Sequence, residues 1–373
     1  LLVGPAGLDF LSWETDRDTL SALAEITLAV VLFTDAAGAD MKVLRKTSGL
    51  PARLLMIGLP LTILLGFGLG TLVFDGVSLF AIALLATMLA PTDAALGNAV
   101  VSNESVPDEV RQALNVESGL NDGICVPILF VLLALALDKV SNAGPWELAV
   151  RLVFEEIGIG LAVGLLLTLI AVLILKISWR QNWLTPVWMQ IPVIALALAC
   201  FSLAQYLGGS GFIAAFSGGL LFGILEKSMR DKFLRAAQGT GDTLALVTWV
   251  IFGAAVVGKA LGHLSWPMVL YAVLSLTVIR MVPVFLALAG SGISPEGKLF
   301  MGWFGPRGLA SIVFAVIVMA DELPNSGPII MTVAFTIILS ILVHGVTANP
   351  WARSYGKRRE RAQRGASTGL ESG

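Results

Sequence analysis

LFAIALLATMLAPTD, from Leu79 to Asp93, and ESGLNDGICVPILFVLLALAL, from Glu117 to Leu137, place three acidic side chains within apolar sequence. A carboxylate at the centre of a bilayer costs about 3 kcal/mol even on permissive scales of helix insertion. Acids in such positions are rare, and they usually mark the path of an ion or a proton. Because Asp93, Glu117 and Asp122 fall in two neighbouring segments, the sequence predicts transport of a cation or a proton.

The composition is that of a polytopic membrane protein. Hydrophobic residues make up 56% of the 373 residues and charged residues 13%, and the mean hydropathy is +0.86. A soluble protein is about 25% charged, and a helix needs roughly 20 apolar residues to cross a bilayer. The sequence therefore predicts an all-α protein with about eleven full spans. These lie at 20–38, 51–73, 78–101, 112–137, 150–176, 187–206, 211–225, 241–258, 266–289, 299–320 and 328–348.

The positions of the basic residues predict the orientation of the chain. If the loop after the first span is cytoplasmic, eighteen of the 24 lysines and arginines fall on the cytoplasmic side, including those of the basic tail 350–373, and only four fall outside. Such a bias is typical of membrane proteins, so we expect a multi-pass plasma-membrane protein with a cytoplasmic C-terminus. The exceptions are Arg17, Lys139, Arg151 and Lys259 on the outer side, and Arg280 and Arg307 within spans.

Two predicted spans carry helix breakers in the middle, Pro91-Thr92-Asp93 in the third and Gly305-Pro306-Arg307-Gly308 in the tenth. Proline removes a backbone donor, so the carbonyls and amides around it need other partners. Interrupted apolar segments at matching places in two halves point to a transporter with inverted repeats and a binding site at the midplane.

A helix over 112–137 would place Ser118 and Asp122 on one face and Glu117 and Asn121 on the adjacent stripe, because residues four apart are neighbours. Ser118 and Asp122 can then face a cavity while the other pair meets a different partner. Hydroxyl, carboxylate and carbonyl oxygens are hard ligands, which suit alkali cations and protons. A cation and a proton competing for Asp122 would couple their movements.

Two arginines within spans need partners, because an unpaired buried guanidinium is costly. We expect Arg280 to pair with Glu117, which leaves Asp122 available. Arg307 lies at a predicted helix break, where it can balance the negative C-terminal ends of half-helices. Asp35, near the cytoplasmic end of the first span, fits either a solvated helix end or a further acid of the site.

At these residues the chain resembles the monovalent cation–proton antiporters, and within them the Na+/H+ exchanger branch that has an Asn-Asp pair. Glu117 to Asp122 matches the Glu-Ser-x-x-Asn-Asp motif of that branch. The resemblance covers nearly the whole chain. Three further motifs support it in this order and spacing: Pro91-Thr92-Asp93, Gly209-Ser210-Gly211-Phe212 and Gly305-Pro306-Arg307-Gly308-Leu309-Ala310.

The resemblance implies a transmembrane domain over 1–349 with inverted repeats, crossed broken helices and elevator-like alternating access. The core would comprise about 50–137 and 264–349, and a homodimerisation part about 1–49 and 183–263. One or more N-terminal helices of the family would precede Leu1, so we expect a fragment.

The resemblance also implies the roles of individual residues. Asp122 would be the principal ion and proton site. Thr92, Asp93 and Ser118 would assist it, Glu117 and Arg280 would form a stabilising ion pair with Asn121 beside it, and Arg307 would supply the charge at the broken helix. The partners implied are a monovalent cation, a proton, membrane lipid and a second copy of the chain; neither a cofactor nor nucleic acid is expected.

The preferred interpretation is a secondary antiporter that exchanges Na+, or K+ or Li+, for H+, and a K+/H+ antiporter is the alternative within the family. Asp93 is followed by Ala94-Ala95, whereas many members have a proline there, which leaves the choice of cation open. A cation channel is a different class, but no loop repeats as selectivity filters do. An intramembrane aspartyl protease would use Gly239-Thr240-Gly241-Asp242, yet the tyrosine-aspartate partner motif is missing and a helix N-cap explains Asp242 more simply.

Overall fold

The computed structural model describes residues 17–39, 49–93, 96–137, 153–185, 188–226, 230–254, 262, 264–321, 323–324 and 326–370. The regular elements of this part of the chain are helices, which confirms the predicted all-α class. They are α1 (Arg17–Gly38), α2 (Leu50–Val73, with a π turn at Leu54–Gly58), α3 (Leu79–Met88), α4 (Asn98–Val101), α5 (Asp108–Ala136), α6 (Gly158–Arg180), α7 (Pro192–Tyr206), α8 (Gly211–Leu225), α9 (Arg230–Phe252), α10 (Trp266–Leu276), α11 (Val278–Ala287), α12 (Pro295–Trp303), α13 (Leu309–Ala320) and α14 (Gly327–Leu370).

Within the described residues, six helical segments are long and apolar enough to cross a membrane. Four shorter apolar helices, α3, α7, α8 and α13, accompany them. Each of the eleven predicted spans overlaps at least one of the helices, although several are shorter than a full crossing. The sequence pattern therefore predicts where the apolar helices lie, and six of those in the described residues are long enough to cross a bilayer without a break.

Three helix boundaries differ from the predicted ones. Helix α9 begins at Arg230, eleven residues before the predicted start, because the polar segment ahead of the apolar run is also helical. The predicted span 266–289 is interrupted at Thr277, where φ is −113° and ψ is −93°. The final helix passes through Pro350 and continues to Leu370, well past the predicted end of the span at residue 348.

The tail helix packs against the ends of other helices. Tyr355 stacks on Phe300 of α12 with ring centroids 4.6 Å apart, and both side chains are buried. Arg358 forms an ion pair of 3.1 Å with Glu296, also on α12. These contacts fix the start of the tail to the half-helix that precedes the second predicted break.

The helices pack in two groups. Helices α1, α6, α7, α8 and α9 contact one another, and a second group contains α2, α3, α5 and α10–α14. Helix α1 lies between them, because it also contacts α5 and α13. Gly219 and Gly223 allow α8 to approach α1 closely, since a Cβ at either position would collide with the carbonyl of Phe33 or Ala37. This small-residue spacing of four is typical of tightly packed membrane helices.

The two broken helices cross at their breaks, as predicted. The first break separates α3 from α4, and the second separates α12 from α13. The amide of Asp93 donates to the carbonyl of Pro306 at 2.8 Å, and the hydroxyl of Ser311 donates to the carbonyl of Met88 at 2.7 Å. Freed backbone groups of each break are thus satisfied by the other, as an apolar environment requires.

Gly308 allows this crossing, because a Cβ there would collide with the carboxyl of Asp93. We expect Gly308→Ala to lower the thermal unfolding midpoint of the detergent-purified protein, since overpacking costs about 1–3 kcal/mol. Gly68→Ala is the matched control, because no atom lies within 4 Å of its added Cβ and helical alanine is favoured over glycine by roughly 1 kcal/mol. If both variants unfold at the wild-type temperature or above, the crossing does not depend on Gly308.

Candidate ion-binding site

A cavity of about 100 Å³ lies between the two groups of helices. The second group contributes polar side chains from the first break and from α5, together with Leu309 of α13. The first group contributes one face each of α1 and α9. The lining residues are Val31, Asp35, Thr92, Asp93, Ser118, Asp122, Asp242, Ala245, Trp249 and Leu309.

Asp122 is the most enclosed acid of the cavity. It lies on α5 with 9% of its surface exposed, and its Oδ1 accepts no hydrogen bond from the described residues. A buried carboxylate oxygen without a donor is costly unless a cation or a proton binds it. Ser118, one turn earlier on α5, faces the same cavity, as the predicted helical stripe requires.

Three polar side chains form a network at the inner wall of the cavity. The Thr92 and Ser118 hydroxyl oxygens lie 3.0 Å apart, and the amide nitrogen of Asn121 donates to Thr92 at 2.8 Å. The bond from Asn121 occupies one lone pair of Thr92. The network therefore holds the two hydroxyl oxygens in place on the wall of the cavity that Asp122 also lines.

Asp93 has a structural task as well as a place in the cavity wall. Its Oδ2 accepts from the amide of Leu309 at 2.9 Å, at the start of α13, and its Oδ1 accepts from the amide of Leu96 at 3.2 Å. A carboxylate at a helix N-terminus is favoured by the helix dipole. Asp93 thus joins the first break to the second half of the other broken helix.

The structure brings Glu117 and Arg280 together away from the cavity. Both are 2% exposed, and the two side chains form paired bonds of 2.5 Å (Nη1 to Oε1) and 2.9 Å (Nη2 to Oε2). This fork geometry is the strong form of an arginine–carboxylate contact. It fixes α5 to α11, and it occupies the carboxylate that stands five residues before Asp122.

Arg307 binds backbone carbonyls at three places. Its guanidinium donates to Ala90 at 2.9 Å, to Pro91 at 3.1 Å and to Ser275 at 3.3 Å. Ala90 and Pro91 follow the end of α3, and Ser275 lies near the end of α10, so a positive charge meets two helix C-termini. The break at Thr277, which the sequence pattern did not predict, accompanies the second of these ends.

Sequence reasoning missed Asp242 and left Asp35 undecided. The interpretation of Asp242 as a helix N-cap is wrong, because α9 begins at Arg230, twelve residues earlier. Asp242, Ala245 and Trp249 follow the spacing of one helical face, and that face lines the cavity. The spacing is visible in the sequence, but polar residues before Asp242 conceal the helix when hydropathy alone is considered.

Comparison with known proteins identifies the family. Residues 1–354 match the family model described as the transmembrane domain of the sodium/hydrogen exchangers. The chain belongs to the sodium/hydrogen exchanger family. This exchanger-family chain also has the fold of the sodium proton antiporter MjNhaP1 from Methanocaldococcus jannaschii, with a TM-score of 0.76 and 24% identity over 95% of this chain and 90% of the other.

Some of the curated relatives are named K(+)/H(+) antiporters and others Na(+)/H(+) antiporters. The K(+)/H(+) antiporter NhaP2 of Shewanella baltica (strain OS223) is 23% identical over 94% of this chain and 59% of its own length. The Na(+)/H(+) antiporter of Schizosaccharomyces pombe (strain 972 / ATCC 24843) is 25% identical over 74% of this chain and 65% of its own length. The exchanger-family chain thus spans about three-fifths of the length of these relatives.

Breaking the Glu117–Arg280 pair should destabilise the fold. We expect Glu117→Gln to leave a buried guanidinium without its counter-charge, which costs about 3–5 kcal/mol. Glu296→Gln, in the partly exposed pair with Arg358, is the control and should cost no more than about 1 kcal/mol. Thermal unfolding in detergent, followed by the monodisperse fraction on size exclusion, measures both.

A double variant separates the charge from the packing. Replacing both partners, as Glu117→Leu with Arg280→Met, should recover part of the lost stability, because neither charge is then buried alone. A Glu117→Gln protein as stable as the Glu296→Gln protein would show that the pair does not hold α5 in place.

Proposed function

We propose that the protein is a secondary antiporter that exchanges Na+ for H+, with the two ions competing for Asp122. The observation that carries the proposal is the buried Oδ1 of Asp122, which faces a cavity and accepts no bond from the described residues. Membership of the sodium/hydrogen exchanger family supports it. The same membership favours exchange over the protease alternative.

Competition at one carboxylate explains the coupling. Asp122 carries either a cation or a proton. The binding site therefore changes the side of the membrane to which it opens only with one of the two ions bound. Thr92 and Ser118 supply hydroxyl oxygens beside it, and the half-buried Asp93 adds a second carboxylate. If a single carboxylate exchanges its occupant in each cycle, one cation moves for one proton and the exchange is electroneutral.

The division of the helices into two groups supports alternating access. The second group corresponds to the proposed core, about 50–137 and 264–349, which would carry the site. The first group would stay fixed. It contains the proposed dimerisation part, about 1–49 and 183–263, through which two copies of the chain would form the homodimer. Glu117, Arg280, Asn121 and Arg307 would keep the core rigid as it moves.

The same proposal includes orientation and place. The basic residues at the Arg230 end of α9 and in the tail put that side of the protein in the cytoplasm, under the positive-inside rule. The C-terminus would then be cytoplasmic, and the membrane would be the plasma membrane. The names of the relatives include both Na+ and K+, so the identity of the cation is an outcome of the test.

The test uses the full-length protein in vesicles that contain a pH-sensitive dye. An imposed Na+ gradient should drive proton flux in the opposite direction, and Asp122→Asn should abolish the flux, because an amide cannot exchange a proton for a cation. Glu104→Gln, an exposed acid outside the cavity, is the control and should keep wild-type flux.

A repeat with a K+ gradient identifies the preferred cation. Exchange that persists in folded Asp122→Asn protein would contradict the assignment of the site. Flux of the cation without any movement of protons would contradict exchange and favour a channel.

A further inference from the structure

We propose that Asp242 is a cation-capturing residue at the mouth of the transport path, across the cavity from Asp122. The inference rests on the proposed exchange function and deepens it. Asp242 would raise the local concentration of the cation at the cytoplasmic opening, from which the cation moves on to Asp122. The proton would be exchanged at Asp122 and not at Asp242.

The position of Asp242 along its helix places it on the opening side of the cavity. Helices α1 and α9 run antiparallel, since Thr27 lies 3.1 Å from Thr248 while a Cβ at Gly38 would lie 3.8 Å from Gln238. Among the three residues of α9 that line the cavity, Asp242 is therefore the one nearest to the Arg230 end. That end carries the basic residues Lys232 and Arg235, which the positive-inside rule assigns to the cytoplasm.

The exposure of the cavity acids increases from Asp122 outwards. Asp122 is buried, Asp35 and Asp93 are half-buried, and Asp242 is exposed. All four carboxylates line one cavity, and the residues that line it include no lysine, arginine or histidine. A cation that enters from the exposed end thus passes a series of negative charges before it reaches the most enclosed one.

The charge of Asp242 is available for this role. Within the described residues it forms no ion pair, although Asp35 lies close enough for their charges to interact. A cleft lined by charges of one sign and bounded by low-dielectric walls concentrates counter-ions, and it accelerates their capture by up to about three orders of magnitude. The apolar side chains of Val31, Ala245 and Trp249 form such walls.

The Oδ1 of Asp122, which accepts no hydrogen bond from the part of the chain that the structure describes, is the independent sign that the cavity receives a ligand. Asp242 and Asp122 belong to different groups of helices, so their separation changes if one group moves against the other. Asp242 then acts only while the cavity opens towards it. The charge of Asp242 should therefore raise the apparent affinity for a cation that enters from the cytoplasm and leave the affinity from the other side unchanged.

The test compares Asp242→Asn with wild type in vesicles of known orientation at low ionic strength. We expect the apparent KM for the cytoplasmic cation to rise roughly threefold to tenfold while the maximal rate is unchanged, because capture and not chemistry is impaired. Added salt of an impermeant cation should remove the difference, since it screens the charge. Asp242→Glu should restore the wild-type KM, and Glu104→Gln is the control for the loss of one cytoplasmic negative charge.

A salt-independent fall in the maximal rate with unchanged KM would overturn the proposal and give Asp242 a conformational role. An unchanged KM in Asp242→Asn would overturn it as well, and so would failure of Asp242→Glu to restore the KM. The concentration of Na+ that half-maximally raises the thermal midpoint of the detergent-purified protein gives a second reading without transport.

The two proposals fail in distinguishable ways. If wild type shows no exchange but is stabilised by Na+, the exchange function fails, and the shift of that half-maximal concentration in Asp242→Asn still decides capture. If Na+ and K+ leave the thermal midpoint of wild type unchanged and drive no flux, both proposals fall.

Discussion

The structure depends on the satisfaction of backbone groups where two helices break inside an apolar environment. An unsatisfied amide or carbonyl at that depth costs several kcal/mol, so a broken helix persists only if other groups replace the lost bonds. Here the replacements are mutual. Asp93 in the first break accepts from the amide that begins α13, and Arg307 in the second break donates to the carbonyls that follow α3. Each break is therefore stable only in the presence of the other.

This mutual dependence also creates the site. The break between α3 and α4 brings the Thr92 hydroxyl next to Ser118 and Asn121 of α5. The pair of Glu117 with Arg280 then fixes α5 at a point five residues from Asp122. The polar groups around Asp122 are thus held by bonds among themselves, and its Oδ1 remains available to a ligand. A rigid frame around an acceptor that the described residues leave unsatisfied is what the proposed exchange of ions at Asp122 needs.

Much of the site can be predicted from the sequence because its residues break local rules. Prolines, glycines and charges within apolar runs are conspicuous, and they identify Thr92, Asp93, Asp122 and Arg307. The spacing of four along α5 further predicts that Ser118 and Asp122 share a face, and the need to neutralise Arg280 predicts its pairing with Glu117. These inferences require only helical periodicity and the cost of buried charge.

What the sequence does not reveal depends on contacts between distant segments. Asp242 resembled a helix cap because polar residues precede it, and only the packing of α9 against α1 brings it to the cavity. No proline or glycine stands next to the break at Thr277. The break has a structural explanation only in the folded protein, where it leaves the carbonyl of Ser275 near the helix end to accept a bond from Arg307. The helical tail likewise depends on Phe300, a residue more than fifty positions away, for its packing.

The central claim is that a cation and a proton compete for one carboxylate, Asp122. Its most direct test is the proton release that accompanies cation binding, measured with an indicator dye in a weakly buffered solution of detergent-purified protein. The account predicts that addition of Na+ releases protons from the wild type, that the release saturates with the cation concentration, and that Asp122→Asn releases none. Saturable binding of the cation without proton release from the wild type would contradict it.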